Sequence, residues 1–390
     1  MRVLYIASVF DEDCLKNRFD GKPVLPYAAN KYNTLLFEGI VKNGIKTDVL
    51  SVVPINRSIY KKVLFNGYTV RKENLTIRFL SQINLPILKN VLNILNGFFG
   101  TLFAPKDSVI IYDVLVVSAS IGALWASKLR RFKTVGIVTD LPKFQPISKS
   151  AFMLKANDKI VSYSDAYIFL TEQMNKEVNI LNKPYLVLEG HANEDMKNKV
   201  HESFSGDEKR VIYAGALEKI YGIEMLCKAF IDIALPGEYL HIYGNGDYAE
   251  ELSILSEEHK NIIYHGNRPN HEIVEAELNA TLLVNPRPTD GEYTRFSFPS
   301  KTLEYMVSGT PVLSSRLEGI PKEYEDYIFY FDENTPQSLG KKMRSILDLS
   351  PEVLGKKGAD AKTFVLKKKN NVVQAEKIIN FCQSLLFEEN

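Results

Sequence analysis

Residues 285–315 read NPRPTDGEYTRFSFPSKTLEYMVSGTPVLSS. The run leading into them, TLLVNP, is apolar and reads as a buried strand. It ends in a polar loop bearing Arg287, Asp290, Glu292 and Arg295. Phe298-Pro299-Ser300-Lys301 then opens a helix, with proline at the entrance and a hydroxyl residue as its cap. Gly309 closes that helix as a left-handed cap, Pro311 cannot continue it, and Thr310–Ser314 forms a short second strand. Strand, helix and strand at this spacing are one unit of a doubly wound α/β sheet.

The same pattern extends upstream. RVIYAG precedes a helix over Ile223–Ile233, and YLHIYG precedes one over Tyr248–Glu257. NIIYH is followed by a short helix from Asn270. In the first half, strands are expected at Val3–Ala7, Thr47–Val53, Val109–Tyr112, Thr134–Thr139, Ala166–Leu170 and Tyr185–Leu188. Helices are expected at Ala29–Asn43, Val117–Leu129 and Glu172–Leu181, and a hairpin insertion at Leu64–Phe79. Runs that are apolar throughout and separated by helices indicate parallel strands covered on both faces. Pro351 to Phe387 reads as two closing helices. The domains expected are 1–195, 207–370 and a closing helix 371–390 that packs back on the first. The fold class is α/β, with two Rossmann-like doubly wound halves facing a cleft. Ligands of such sheets lie beyond the carboxyl ends of the strands.

The chain has 390 residues, 45% of them apolar and 24% charged, which excludes disordered and collagen-like classes. Its net charge is +1, but the halves differ. Through Gly206 there are 27 Lys/Arg against 18 Asp/Glu, and beyond it 21 against 29. A basic first half suits anionic partners, a membrane surface included, or reflects two domains with different solvated faces. No nucleic-acid motif accompanies it. Three scattered cysteines, Cys14, Cys227 and Cys382, fit a reducing compartment. The six histidines show no metal-ligand spacing. MRVLYIASVF is too short an apolar run for an export signal and reads as a first strand. Ile83 to Pro105 is too interrupted to span a bilayer. Within it, Ile87, Leu88, Val91, Leu92, Ile94, Leu95, Phe98 and Phe99 recur at helical spacing. Such a helix packs on a core or meets a lipid surface.

Three segments carry chemistry. In YAGALEKIYGIEMLCKAF, residues 213–230, Gly215 turns the chain between strand and helix, where N–H groups approach a phosphate. Lys219 adds a charge at that mouth, or is an exposed turn lysine. In HIYGNGDY, residues 241–248, Gly244 and Gly246 let a ligand lie against bare backbone, or make an ordinary tight turn. The third glycine of a dinucleotide fingerprint is missing, so NAD is not expected. In the opening segment, the helix mouth offers Ser300, Thr302 and Lys301. Glu304, one turn in, stands where a carboxylate can hold a ribose diol, or is a surface residue.

These segments, in this order, resemble the donor-binding half of GT-B glycosyltransferases, in particular the retaining enzymes of glycosyltransferase family 4. The runs G-A-L-x-K-x-Y-G-I, I-Y-G-x-G and F-P-S-K-x-x-E-Y-M-x-x-G-T-P-V-L are similar to those of bacterial capsule and exopolysaccharide enzymes. The resemblance implies transfer of a sugar from a nucleotide diphosphate sugar to a saccharide or lipid-linked acceptor. It needs no metal or other cofactor. Gly215, Lys219, Ser300, Lys301 and Thr302 would meet the diphosphate, with Arg295 as a further catalytic cation. Gly244, Gly246 and the stretch His265 to Arg268 would border the base, and Glu304 would hold the ribose. The family's second carboxylate falls on Phe296 here, leaving Asp290 or Glu292 to replace it. Ala216 and Tyr221 stand where the family has basic residues. In the first half, Asp140 would orient or deprotonate the acceptor hydroxyl, or is a turn residue before Pro142. Asp113 is a weaker candidate of the same kind. Asn30-Lys31 is expected at a helix mouth, and Asp11-Glu12-Asp13 reads as a solvated loop. The resemblance and the charge together imply a cytoplasmic protein, at the inner membrane face. Rival readings are a nucleotide-sugar epimerase of the same fold and a non-catalytic nucleotide-sugar binding protein.

Overall fold

The computed structural model describes residues 1–11, 26–57, 60–144, 151–201 and 208–387, the side chains of 151–153 excepted. Expectations placed on Glu12, Asp13, Cys14 and residues 202–207 lie outside the described residues. The chain divides into two compact units, Met1–His191 with Asn371–Asn390, and Ala192–Asn370.

The first unit is built on β1 (Arg2–Ala7), β2 (Thr47–Ser51), β3 (Leu64–Phe65), β4 (Tyr68–Lys72), β5 (Leu75–Phe79), β6 (Gln82–Ile83), β7 (Ser108–Asp113), β8 (Thr134–Val138), β9 (Ala166–Phe169) and β10 (Tyr185–Val187). Its main sheet runs β10-β9-β8-β7-β1-β2-β5-β4. All neighbours pair in parallel except β4 with β5. Every residue of β7, β8 and β9 is buried, as the unbroken apolar runs require. The segment expected as a hairpin insertion is different. Its second strand, β5, is an integral strand beside β2, with Leu75 and Phe79 in the core. Only β4 is an added antiparallel edge. Asn74 turns between them at φ +57, a conformation asparagine tolerates.

The helices of this unit are α1 (Tyr27–Lys42), α2 (Pro86–Leu102), α3 (Val117–Arg130), α4 (Ala151–Tyr163) and α5 (Glu172–Val178). The sequence reading contains no counterpart of α4. α2 forms where the periodicity placed it, with Ile87, Leu88, Val91, Leu95 and Phe99 exposed and Leu92, Ile94 and Phe98 half-buried. The residues it buries are Asn93, Gly97 and Thr101. Gly97 and Gly122 let α2 and α3 touch backbone to backbone, because a Cβ at either position would collide with the other helix's carbonyls. Small residues thus set the contact, and the apolar face of α2 points away from it. The buried Asn93 Oδ1 and Thr101 Oγ1 make no hydrogen bond.

The second unit alternates strictly: β11 (Lys209–Ala214), α6 (Ile223–Ile233), β12 (Glu238–Tyr243), α7 (Ala249–Glu258), β13 (Ile262–Gly266), α8 (Asn270–Leu278), β14 (Leu282–Asn285), α9 (Ser300–Ser308) and β15 (Val312–Ser315). β16 (Phe329–Phe331), α10 (Pro336–Leu347) and α11 (Pro351–Lys368) complete it; β16 and α10 add to the elements read from sequence. The sheet is wholly parallel, in the order β13-β12-β11-β14-β15-β16. Strand order therefore reverses between β11 and β14, and the crevice at such a switch point is where these sheets bind ligands.

The last helix, α12 (Asn371–Phe387), belongs to the first unit. It buries Ala375, Ile378, Ile379, Cys382 and Leu385 in that unit's core. Gly39 of α1 lies so close to the Asn371 carbonyl that no Cβ fits there. Asn371 Nδ2 donates to the Leu35 carbonyl at 3.1 Å. Burial raises the thiols of Cys227 and Cys382 to about 12, so both are inert packing residues.

Candidate functional site

In the second unit, the loops leaving β11 and β14 meet at the switch point. Gly222, at φ +80, lets the start of α6 press against the Pro286 carbonyl. Arg287, one residue further, is held between two aromatic rings. Its guanidinium lies 4.4 Å from the Tyr221 ring centre and 5.6 Å from that of Tyr293. It also donates to Ser297 Oγ at 3.3 Å, just ahead of α9. Rings and a hydroxyl hold this cation, and among the described residues no carboxylate pairs with it. From the opposite side, the fully buried Tyr305 of α9 bonds both polar groups of Ala214, accepting from its N–H at 2.8 Å and donating to its carbonyl at 3.2 Å. This clamps the helix to the end of β11.

The mouth of α9 differs from expectation in two respects. Ser300 is the first helical residue rather than the cap; the cap position is Pro299, and no side chain bonds the first N–H groups. Thr302 is wholly buried and its hydroxyl is unpartnered, so it faces the interior and not the mouth. The cause is helical periodicity, because Thr302 and Tyr305 share the face turned to the sheet. Lys301 and Glu304 do lie together, at 2.8 Å and partly exposed. Burial alone would lower the Lys301 ammonium, but Glu304 and Glu277 outweigh it and hold its pKa above the ordinary lysine value.

Other expected cations are engaged. Lys219 donates to Glu251 of α7 at 2.6 Å, and its backbone N–H to Asp247 at 2.7 Å. Both ends of the Lys219–Glu251 pair are about half exposed, so it contributes little and exchanges readily. Arg295 lies 3.6 Å from Glu318, also exposed. Glu292 is exposed, and Phe296 packs in the interior. Gly244 and Gly246 each stand against a neighbouring loop. A Cβ on Gly244 would strike the Gly215 carbonyl, and one on Gly246 the backbone of Leu217. The close approach they permit is of one loop to another. Arg268 stands elsewhere, lining an open cavity of about 300 Å³ with Arg210, Tyr243 and His265. The Tyr243 and His265 rings stack at 4.2 Å there. None of the residues lining this cavity belongs to the switch-point loops.

The first unit has a switch point too, between β1 and β7. Asp113 ends β7 there and is 4% exposed. Its carboxylate accepts from Leu115 N–H at 2.9 Å and from Asn33 Nδ2 at 3.4 Å. Tyr5 Oη in turn donates to Asn33 Oδ1. Burial raises Asp113 to about 6, an effect that the two hydrogen bonds only partly offset, and Asp140 adds a smaller repulsion. Asp140 is half-buried, two residues past the end of β8, the strand that pairs with β7. Asn30 is not at a helix mouth, since α1 begins at Tyr27; its side chain accepts from Phe10 N–H at 2.8 Å and anchors the loop after β1.

Arg287 is the residue sequence reasoning passed over. The Asn285–Ser315 loop offers several cations, and only the rings of Tyr221 and Tyr293, one of them far away in sequence, single this one out.

Residues 195–361 match the family described as glycosyl transferases group 1. That stretch covers most of the second unit and contains the residues named above at its switch point. The comparison with curated proteins finds no match. Solved structures resemble the chain over nearly its whole length. Sucrose-phosphate synthase from Thermosynechococcus elongatus is 17% identical with a TM-score of 0.71, covering 99% of each chain. HepE of Anabaena in complex with UDP-glucose is 13% identical with a TM-score of 0.66, covering 98% of this chain and 100% of that one. α,α-Trehalose 6-phosphate synthase from Burkholderia multivorans is 9% identical with a TM-score of 0.64, covering 99% and 97%. These likenesses show the fold, two doubly wound α/β domains of the GT-B type.

Proposed function

We propose that this protein is a retaining glycosyltransferase that moves a sugar from a nucleotide diphosphate sugar to a hydroxyl of a saccharide or lipid-linked acceptor, in surface polysaccharide assembly. The observation that carries this reading is Arg287, a cation with no carboxylate partner among the described residues, set beside the mouth of α9, where no side chain caps the helix, at the switch point of the matched unit. A departing diphosphate is the ligand whose charge grows during the reaction, and preorganised donors aimed at growing charge are the strongest electrostatic aid a site offers. Arg287 and the first N–H groups of α9 take that charge, with Lys301 behind them. Lys219 and Arg295 stand at the rim, where each exchanges an exposed carboxylate for phosphate. Glu304 holds the ribose. The solved structures of HepE bound to UDP and to UDP-glucose support a donor of this class.

In the first unit, Asp140 orients the acceptor hydroxyl. Asp113 acts behind it as a positioning residue, fixing the loop after β7 through Leu115 N–H and helix α1 through Asn33.

A panel of nucleotide sugars, offered with and without lipid-linked acceptor, tests the reading. Acceptor-dependent release of nucleotide diphosphate is expected. Isomerisation of the donor without acceptor would assign the protein to the epimerases, and saturable binding without turnover to the non-catalytic binders.

A further inference from the structure

α2 is built inside out. Ile87, Leu88, Val91, Leu95 and Phe99 lie on one side at helical spacing, all about half exposed or more, with Ile87 at 78%. Phe103, immediately past the helix, is 76% exposed. Ordinary core packing would turn this face inward, since each side chain left about half exposed forgoes a good part of the roughly 1.5–3 kcal/mol of full burial. Here the fully buried positions are Asn93, Gly97 and Thr101, with Leu92, Ile94 and Phe98 half-buried beside them, and two glycines lock the helix against α3. The surface extends onto α3. Ser118 and Gly122 touch α2, and Trp125 and Leu129, on the same stripe, are 58% and 67% exposed. Arg130 donates to the Leu102 carbonyl and holds the ends of the two helices together.

The surroundings of the patch are cationic. Between Arg57 and Lys133 the chain carries 12 Lys/Arg and 3 Asp/Glu, and one of those acids, Asp113, is buried. Exposed Lys61 and Lys62 lead into exposed Val63 and Leu64; Leu64 pairs with Ile83 at the entrance to α2. Exposed Lys106 follows Phe103, and exposed Lys128 and Arg131 flank Leu129. Two copies of this chain joined symmetrically through the patch would set these cations against their own images. An anionic bilayer satisfies both features, taking the apolar stripe and tryptophan into its interface while lysines and arginines meet its headgroups.

We propose that the exposed face of α2, with Trp125 and Leu129, is a docking surface for a bilayer containing anionic phospholipid, on which the protein lies without spanning it. Among the described residues no helix is long and apolar enough to cross a membrane. The proposal is independent of the glycosyltransferase reading, because the patch shares no residue with either switch point.

Trp125 is the only tryptophan in the chain, so its fluorescence reports on this surface. The intact protein is mixed with phosphatidylglycerol/phosphatidylcholine vesicles, without donor or acceptor. Co-sedimentation, a blue shift of the tryptophan emission and weakening at high salt are expected. Leu95→Asp, at an exposed position that should fold normally, is expected to weaken binding about tenfold or more. Lys61→Glu combined with Lys62→Glu is expected to weaken it at low salt but not to alter the protein's circular dichroism. Absence of co-sedimentation at low salt would overturn the proposal, as would binding that Leu95→Asp leaves unchanged. So would a self-association that Leu95→Asp abolishes in the absence of vesicle binding, which would assign the face to a second copy. Donor turnover measured in parallel keeps this failure separate from failure of the proposed function.

Discussion

The two units solve the same topological problem with opposite chemistry. Each is a doubly wound sheet whose strand order reverses beside its first strand. At that position the second unit places Arg287 between two rings and leaves the mouth of α9 uncapped. The first unit places a buried carboxyl, Asp113, propped by an amide side chain and one backbone N–H. Under the proposed function, the crevice with Arg287 receives the diphosphate and the one with Asp113 lies on the acceptor side. The same sheet order thus carries a cation at one switch point and a carboxyl at the other.

The sharpest way to break this contrast is to remove the cation. Arg287→Ala is expected to lower kcat/KM for the donor by about 100-fold to 1,000-fold, the usual cost of losing a preorganised donor to developing negative charge. Arg287→Lys should recover only part, since an ammonium cannot stack between two rings as a guanidinium does. Steady-state kinetics at saturating acceptor read both. A loss below threefold for the alanine variant would move the diphosphate elsewhere.

Asp113 gives the next largest effect, on stability. Its folded pKa of about 6 exceeds its ordinary value of 3.8. Below about pH 4 the folded and unfolded chains both carry the proton. Between there and about pH 6 the unfolded chain releases a proton that the folded one keeps, so stability falls as pH rises and levels off above. The full difference is about 3 kcal/mol at most. Asp113→Asn is therefore expected to be more stable than the parent at pH 7.5 and to lose that advantage near pH 4, as urea unfolding at the two values would show. An advantage that does not vary with pH would mean that folding does not raise the Asp113 pKa.

Glu304→Ala should weaken binding of a nucleoside diphosphate about tenfold, a loss of one or two charge-assisted hydrogen bonds. Calorimetric titration measures it. Lys219→Ala should have the smallest effect, threefold or less in donor turnover, because Glu251 and water already compete for that ammonium.

Much of the fold can be read in the sequence because its causes are local. Unbroken apolar runs mark the buried parallel strands, and Gly309 with Pro311 marks the end of α9. What could not be read depends on contacts between distant segments. Hydrophobic spacing finds α2 but not the side it buries, which Gly97 and Gly122 decide together across 25 positions. Thr302 looks like a mouth residue from its place beside Lys301, and only the sheet beneath α9 shows that it points inward. Asp113 carries no more local signal than Asp140, and only the fold shows the burial that raises its carboxyl. Arg287 needs Tyr221, 66 residues earlier, to stand out.

The central claim is that a diphosphate is gripped between Arg287 and the mouth of α9. A crystal structure of the protein with a bound nucleoside diphosphate tests it most directly. The account expects the terminal phosphate within hydrogen-bond reach of the Arg287 guanidinium and of the first N–H groups of α9, with the ribose against Glu304. A diphosphate seated away from both, in the cavity of Tyr243 and His265 or in the first unit, would contradict it.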